Sequence, residues 1–193
     1  PYVTSSNTTS GQIFSGTGFG YRNNHKILGI TKAYTTRVGA GPFPTELFDS
    51  VGDYLGEKGN EFGTVTKRKR RCGWFDSVLL RQTIKLNGIT DIVLTKLDIL
   101  DELKEIKICT AYDIDGKLFD YFPSEEYLFD KIKPIYKKVD GWQKSTQAIN
   151  NIKDLPENAI KYIKLLEELI EAEISVVSTG PDRKETIDIN NVL

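Results

Sequence analysis

Short apolar segments alternate with helical patterns in the second half of this sequence, and this alternation indicates an α/β fold. Residues 92–94 and 173–177 are mainly apolar and short enough to be strands. Between them a helix is predicted to begin at Pro156, with apolar residues at helical spacing at positions 160, 163, 166, 169 and 170. Strands joined through helices form parallel sheets, which bind ligands at the carboxyl ends of their strands.

Turn residues and changes in periodicity divide the rest of the chain. The other predicted strands are residues 27–38 and residues 106–112, the second followed by a hairpin turn at Asp115-Gly116. The other predicted helices are residues 45–55 and the segment from an Asp76 cap to Leu86, which ends at Asn87-Gly88. The predicted loops are the glycine-rich residues 11–20 and the polar, basic residues 56–71.

The charge and composition of the chain argue against several classes of protein. Lys and Arg number 26 against 27 Asp and Glu, and a net charge of −1 argues against a general nucleic-acid or membrane-surface role. The apolar runs are too short to span a membrane. Cys72 and Cys109 have no metal-binding or redox spacing, so we expect a reducing, cytoplasmic setting. Because the sequence lacks methionine and opens on the β-prone Pro1-Tyr2-Val3-Thr4, we expect residues 1–193 to be part of one larger domain.

Two short motifs follow predicted strands and suggest a guanine site. In Thr95-Lys96-Leu97-Asp98, the Asp98 carboxylate could accept hydrogen bonds from guanine N1–H and its exocyclic amine, and the Lys96 stem could lie along the base. Ser178-Thr179-Gly180 could offer backbone N–H groups to a base carbonyl, because glycine permits a close approach. Each motif alone is as well explained by a solvated strand end or an ordinary turn. Their combination favours guanine binding.

Five basic residues in a row form the strongest charge feature of the chain, Lys67-Arg68-Lys69-Arg70-Arg71. Thr64 and Thr66 flank this run with hydroxyl donors, and arginine forks suit carboxylates and phosphates. The run is therefore a candidate anion-binding loop. A solvated loop or a nuclear-localisation patch would give the same pattern.

Residues 37–44, which contain two glycines and follow a predicted strand, say less about function, as do His25 and the two tryptophans. Residues 37–44 could bring backbone against a sugar or phosphate, or could form only a turn into the next helix. His25 lies in a polar stretch and is expected at the surface, without a role. Trp74 and Trp142 are expected to pack in the core.

Six motifs together resemble the adenylosuccinate synthetase family. In order along residues 1 to about 186 they are YVTSSNTT, TTRVGAGPFPTEL, GNEFGTVTKRKRRCGWFD, LTKLDILD, IKICTAY and STGPDR. The resemblance covers roughly the C-terminal half of that enzyme. It implies an α/β domain of P-loop-NTPase type, with a mainly parallel central sheet flanked by helices. It also implies a ligase that joins IMP to L-aspartate at the expense of GTP, with Mg²⁺, as a cytoplasmic homodimer in AMP synthesis.

The resemblance also implies a role for individual residues. The IMP-binding residues would be Thr4, Val38 and Arg68; the aspartate-binding residues would be Thr64, Val65, Thr66, Lys67, Arg68, Lys69 and Arg70. The GTP-binding residues would be Arg70, Lys96, Leu97, Asp98, Ser178, Thr179 and Gly180. The partners would be IMP, GTP and L-aspartate, with no nucleic acid and no membrane.

The sequence departs from the family pattern in one position and lacks several of its motifs. Lys67 stands where the family usually has glycine. If that position has φ > 0, the lysine backbone would be strained there. The phosphate-binding glycine-rich motif, the catalytic acid and base and the Mg²⁺ ligands belong to the family's N-terminal half, so these residues alone are expected to be inactive. The alternatives are a guanine-nucleotide-binding domain without catalysis and a nucleic-acid binder acting through residues 67–71.

Overall fold

The computed structural model of the protein describes residues 7–20, 26–63, 65 and 67–192. The α-helices of these residues are α1 Gln12–Thr17, α2 Ser50–Lys58, α3 Ser77–Asn87 and α4 Glu157–Ile170. The strands are β1 Leu28–Lys32, β2 Thr35–Arg37, β3 Arg71–Gly73, β4 Phe75–Asp76, β5 Asp91–Thr95, β6 Glu105–Ile114, β7 Lys117–Phe119, β8 Lys133–Asp140, β9 Glu173–Ser178 and β10 Thr186–Asp188. Short 3₁₀ helices cover Leu97–Leu100, Glu126–Lys131 and Ile152–Asp154.

The central sheet has the strand order β1-β5-β9-β10, and its first three strands are parallel. Only β10 runs antiparallel, as a return strand paired with β9. Helix α4 covers the sheet with an apolar stripe of Tyr162, Ile163, Leu166 and Ile170, and these side chains share one core with the buried residues of β5 and β9. The fold class expected from the sequence is therefore confirmed: a mainly parallel central sheet flanked by helices.

A second sheet packs beside the first and is mostly antiparallel. Strand β6 is its centre: β4 pairs with β6 in parallel, and β7 and β8 pair with it antiparallel. Strands β2 and β3 form a separate antiparallel pair. Strand β8 was not predicted from the sequence, because its residues are exposed or only partly buried and its conformation depends on pairing with β6.

Several predicted elements are confirmed, with the local chemistry expected of them. The Asp76 carboxylate accepts the Leu79 N–H at 3.1 Å and caps α3, which ends at Gly88 with φ 58°. Asp115 and Gly116 both have positive φ, 52° and 81°, as a tight hairpin turn between β6 and β7 requires. The predicted strands 92–94, 106–112 and 173–177 are present, and both tryptophans are buried.

Three predicted elements are wrong in part. Residues 11–20 were expected as a loop but contain α1, while residues 27–38 form two strands because the buried pair Ala33-Tyr34 interrupts the pairing. The helix expected over 45–55 begins later, because the Asp49 carboxylate accepts the N–H groups of Val51 and Gly52 and caps α2 there. Helix α2 then continues to Lys58, into the stretch expected as a loop. His25 lies outside the described residues.

Candidate functional site

The two motifs that follow β5 and β9 lie side by side at one edge of the central sheet. Leu94 of β5 pairs with Val177 of β9 in a parallel ladder. Residues 95–98 and 178–180, here called the strand-end loops, therefore leave the sheet next to one another. The sequence predicted that ligands would bind at such an edge, and the topology brings both candidate motifs to it.

The loop after β5 turns sharply and is fixed from below. Lys96 has φ 62° and redirects the chain into the 3₁₀ helix Leu97–Leu100, and Leu97 is fully buried. The Lys96 Nζ donates to the Gly59 carbonyl at 2.6 Å. Asp98 is half-buried, and this burial raises the pKa of its carboxyl group. The negative charges of Asp101 and Glu185 raise this pKa further and outweigh the positive charge of Lys96, which lowers it.

The loop after β9 is also held by hydrogen bonds within the protein. Thr179 is buried; its N–H donates to the Glu185 carbonyl at 2.9 Å, and its hydroxyl donates to the Ile149 carbonyl at 2.7 Å. The Ser178 hydroxyl donates to the Gly180 carbonyl at 2.8 Å. A Cβ on Gly180 would lie 2.4 Å from the Glu185 carboxylate, so a larger residue here would require the Glu185 side chain to move. Thr179 thus anchors the loop.

One wall beside Asp98 comes from the segment that follows β8. The buried Asp101 carboxylate accepts the Trp142 indole N–H at 2.7 Å, the Thr146 N–H at 2.7 Å and the Thr146 hydroxyl at 2.8 Å. A pocket of about 300 Å³ beside Asp98 is then lined by Gln143, Lys144, Ser145 and Gln147. This wall could not be predicted, because no pattern in the sequence of residues 143–147 indicates that they lie near Asp98.

Residues 63–71 are here called the basic segment, and those of them that the structure describes are exposed or partly exposed. The Lys67 N–H donates to the Gly63 carbonyl and the Gly63 N–H donates to the Arg68 carbonyl, both at 2.9 Å. Val65 is 91% exposed. The Lys69 ammonium pairs with the exposed Asp53 at 2.6 Å. Of the predicted residues of this segment, Thr64 and Thr66 lie outside the described residues.

A buried carboxylate that the sequence analysis did not single out lies under the basic segment. The Glu61 side chain has no exposed surface. It accepts hydrogen bonds from Lys32 Nζ at 2.8 Å, from the Tyr34 hydroxyl at 2.6 Å and from Arg70 Nη1 at 2.8 Å. Burial alone would raise the pKa of Glu61, but these hydrogen bonds outweigh burial and lower it. Glu61 is therefore an ionised carboxylate inside the protein.

The exit from β2 lies next to the basic segment. Arg37, the last residue of β2, pairs with Arg71, the first residue of β3, so Val38 follows and Arg70 precedes this pair. Val38 is 70% exposed. The glycines that follow have positive φ, 80° at Gly39 and 107° at Gly41, and the Arg71 guanidinium donates to both of their carbonyls. Of the expected IMP-binding residues, Val38 and Arg68 are described, and Thr4 lies outside the described residues.

Comparison with known proteins agrees with this arrangement. A family model for adenylosuccinate synthetase matches residues 1–187. The chain belongs to the adenylosuccinate synthetase family. A structure of fully ligated adenylosuccinate synthetase from Plasmodium falciparum superposes with a TM-score of 0.93 at 44% identity, over 97% of this chain and 45% of that one. The chain thus spans less than half the length of that relative.

A more distant match extends the similarity of fold. A succinoaminodeoxyadenylate synthetase of cyanophage S-2L, solved with dGMP and with dATP as an energy donor, superposes with a TM-score of 0.56 at 19% identity. That match covers 98% of this chain and 41% of the phage protein. At this identity it shows a shared fold.

The one departure from the adenylosuccinate synthetase pattern has a structural counterpart. Lys67 has φ 54°, the left-handed region in which glycine is unstrained and other residues are not. A glycine would suit this position, which explains why the family pattern has one there. Lys67 costs the basic segment of the order of 1–2 kcal/mol in backbone strain.

The described residues do not provide the metal site that adenylosuccinate synthetases are expected to have. No group of three or more His, Cys, Asp or Glu side chains able to hold a metal ion occurs within the part of the chain that the structure describes. No residue described here is therefore assigned to Mg²⁺. Among the same residues, no helix is long and apolar enough to cross a membrane.

Proposed function

We propose that this chain provides the guanine site, the aspartate site and part of the IMP site of a GTP-dependent ligase that joins IMP to L-aspartate. The complete enzyme would transfer phosphate from GTP to the 6-oxygen of IMP, and the aspartate amine would then displace that phosphate to form adenylosuccinate. In this proposal the enzyme is a cytoplasmic homodimer in AMP synthesis that uses Mg²⁺.

The observation that carries the proposal is the placement of Asp98 beside Ser178-Thr179-Gly180 at one edge of the sheet. Guanine presents two N–H donors in one plane, N1–H and the exocyclic amine, and an ionised Asp98 would accept both. Adenine has no such pair, so an adenine nucleotide would leave the carboxylate unpaired. Lys96, held by the Gly59 carbonyl, lies beside Asp98 along the chain, where its stem can cover the base.

The basic segment would hold aspartate. L-Aspartate carries two carboxylates, and its amine must point at the activated carbon of IMP. Arg68 and Arg70 would bind the carboxylates through their planar forks, with Thr64, Val65, Thr66, Lys67 and Lys69 completing the segment. Arg70 precedes Arg71 and Val38 follows Arg37, the two residues that pair at the end of β2 and β3, which favours contact between this segment and the IMP ribose.

Replacement of Asp98 by asparagine in the full-length enzyme tests the guanine assignment. The amide presents a donor to a guanine N–H, so the KM for GTP should rise by about 30-fold or more, a loss of roughly 2–4 kcal/mol. Xanthosine triphosphate, which has a carbonyl in place of the amine, should improve relative to GTP. Asp53→Asn, at an exposed ion pair, is the matched control and should keep the wild-type KM. A wild-type KM in Asp98→Asn would exclude Asp98 from base recognition.

The same protein distinguishes the ligase from a guanine-nucleotide-binding domain without catalysis. The full-length enzyme should form adenylosuccinate only when IMP, GTP and aspartate are all present. Binding of GTP without product under those conditions would favour the binding domain.

A further inference from the structure

Glu61 is the point at which the basic segment and the loop after β5 meet. Its carboxylate accepts from Arg70 Nη1 at 2.8 Å and lies 4.0 Å from Lys96 Nζ. Lys96 in turn donates to the carbonyl of Gly59, two residues before Glu61. One short stretch of chain therefore holds a basic side chain from each of the two regions proposed to bind different substrates.

The surroundings of Glu61 leave it little freedom to adopt another position. Its side chain is fully buried, and Lys32 and Tyr34 at the β1–β2 corner donate to it as well. The backbone is tied too, because the Arg70 N–H donates to the Glu61 carbonyl at 2.8 Å. A buried carboxylate with this many donors has one low-energy arrangement, and loss of its charge would leave the partly buried Lys32 and Arg70 without this counterion.

Arg70 differs from its neighbours in the type of partner that holds it. Lys69 pairs with Asp53, an exposed side chain, and Arg71 pairs with Glu46 while donating to backbone carbonyls. Arg70 is bonded through Nη1 to a fully buried carboxylate, yet its own side chain stays one-third exposed. A guanidinium has five N–H donors, so this anchor orients the fork and still leaves donors for a ligand.

We propose that Glu61 is a positioning residue that holds the Arg70 guanidinium and the Lys96 ammonium in a fixed relation and so couples the aspartate site to the guanine site. The proposal rests on the proposed function, because it requires that Arg70 and Lys96 contact substrates. Glu61 itself touches no substrate. It acts through the side chains that it orients.

A double-mutant cycle in the full-length enzyme tests this role. Glu61→Gln keeps the shape of the side chain but removes the charge and turns an amide NH₂ toward the donors around it. We expect the KM values for aspartate and GTP to rise together by about 10-fold, with a smaller fall in kcat. In an Arg70→Leu background, Glu61→Gln should change the aspartate KM less than about twofold, because the side chain through which it acts is gone.

Matched variants separate positioning from general destabilisation. Glu157→Gln makes the same chemical change at the exposed partner of Lys161 and should leave both KM values unchanged. If Glu61→Gln does not fold, Tyr34→Phe removes one donor to Glu61 and should shift both KM values in the same direction by about 2–3-fold. A purely structural role would lower stability without this coupled change in the two KM values.

The outcomes also separate this proposal from the proposed function. Wild-type KM values in Glu61→Gln and Tyr34→Phe, or effects that simply multiply in the Glu61→Gln/Arg70→Leu double variant, would overturn the role of Glu61 while Arg70→Leu still raises the KM values. Wild-type KM values in Arg70→Leu would overturn the substrate assignment of Arg70 and, with it, the proposal for Glu61.

Discussion

The strand-end loops and the basic segment use opposite means to present polar groups to a ligand. The strand-end loops belong to the packed interior: Leu97 and Thr179 are fully buried, and Thr179 bonds within the protein through both its N–H and its hydroxyl. The described residues of the basic segment are mostly exposed, with Val65 at 91%, and the ion pairs of Lys69, Arg70 and Arg71 hold its C-terminal end.

This difference suits the two proposed ligands. A planar base is recognised by groups that are fixed before it arrives, since each misplaced donor or acceptor leaves a polar group unpaired. A small, doubly charged amino acid is better held by long side chains that close around it, at the cost of ordering them on binding. The rigid region is thus expected to set specificity and the exposed region to control closure.

The largest effect is expected from removing the hydrogen bonds that Asp101 accepts beside Asp98. Asp101→Asn replaces a carboxylate that accepts three hydrogen bonds and places an amide donor against the Trp142 or Thr146 donors. The free energy of unfolding of the full-length enzyme should fall by about 2–4 kcal/mol in a urea titration. Asp53→Asn should lose less than about 1 kcal/mol. Equal losses in the two variants would show that the strand-end loops are no more tightly held than the surface.

The basic segment should respond in catalysis rather than in stability. Arg68→Leu should raise the aspartate KM by about 10–100-fold and lower kcat as well, because Arg68 is proposed to contact both aspartate and IMP. Lys69→Ala should change either constant only slightly, because the Lys69 ammonium is paired with Asp53 and its charge is expected mainly to steer anions toward the site. Steady-state kinetics at saturating GTP measure both. A larger effect from Lys69→Ala would reverse these assignments.

On acidification, GTP binding should weaken at a higher pH than it would if Asp98 had the pKa of an exposed aspartate. Burial raises the Asp98 pKa, so its carboxylate takes up a proton at a higher pH than an exposed aspartate does. Only the ionised form accepts both guanine donors, so the GTP KM should rise by about tenfold for each pH unit below the raised pKa. In Asp98→Asn this dependence should vanish. A profile identical in both proteins would assign the titration to another group.

The smallest effect is expected at Lys67. Lys67→Gly removes left-handed strain but adds backbone freedom to the unfolded chain, so stability should change by less than about 1 kcal/mol. Lys69→Gly is the matched control: Lys69 is not among the residues with positive φ, has no such strain to lose and should be destabilised by about 1 kcal/mol. Thermal unfolding of the two variants compares them directly. Equal losses would mean that the strain at Lys67 is relieved elsewhere.

What could be predicted from the sequence depended on how local each signal is. The Asp76 cap, the Gly88 stop and the hairpin at Asp115-Gly116 are set by residues within one turn of each other, and all three are confirmed. Strands β5 and β9 were found because both are short and mainly apolar. The break at Ala33-Tyr34 was not found, because it depends on distant partners such as the Tyr162 hydroxyl, which donates to the Ala33 carbonyl.

The candidate site followed the same rule. Asp98 and the Ser178-Thr179-Gly180 turn could be placed together because two parallel strands must end at one edge. Glu61 gave no signal, since a single glutamate among polar residues is typical of a surface. Its importance comes from Lys32, Tyr34 and Arg70, which reach it from separate parts of the chain. The spacing of residues along the sequence does not show that side chains so far apart meet at one carboxylate.

The parallel pairing of the central sheet has a consequence for the order in which the protein folds. Its ladders join Leu28 to Asp91 and Asp91 to Glu173, so most of the chain must be looped out before the strands meet. Closing such long loops costs entropy before any contact compensates for it, which slows folding. During synthesis β9 emerges last of the three parallel strands, and the strand-end loops cannot exist until it has docked. The groups proposed to recognise guanine should therefore be among the last to reach their native positions.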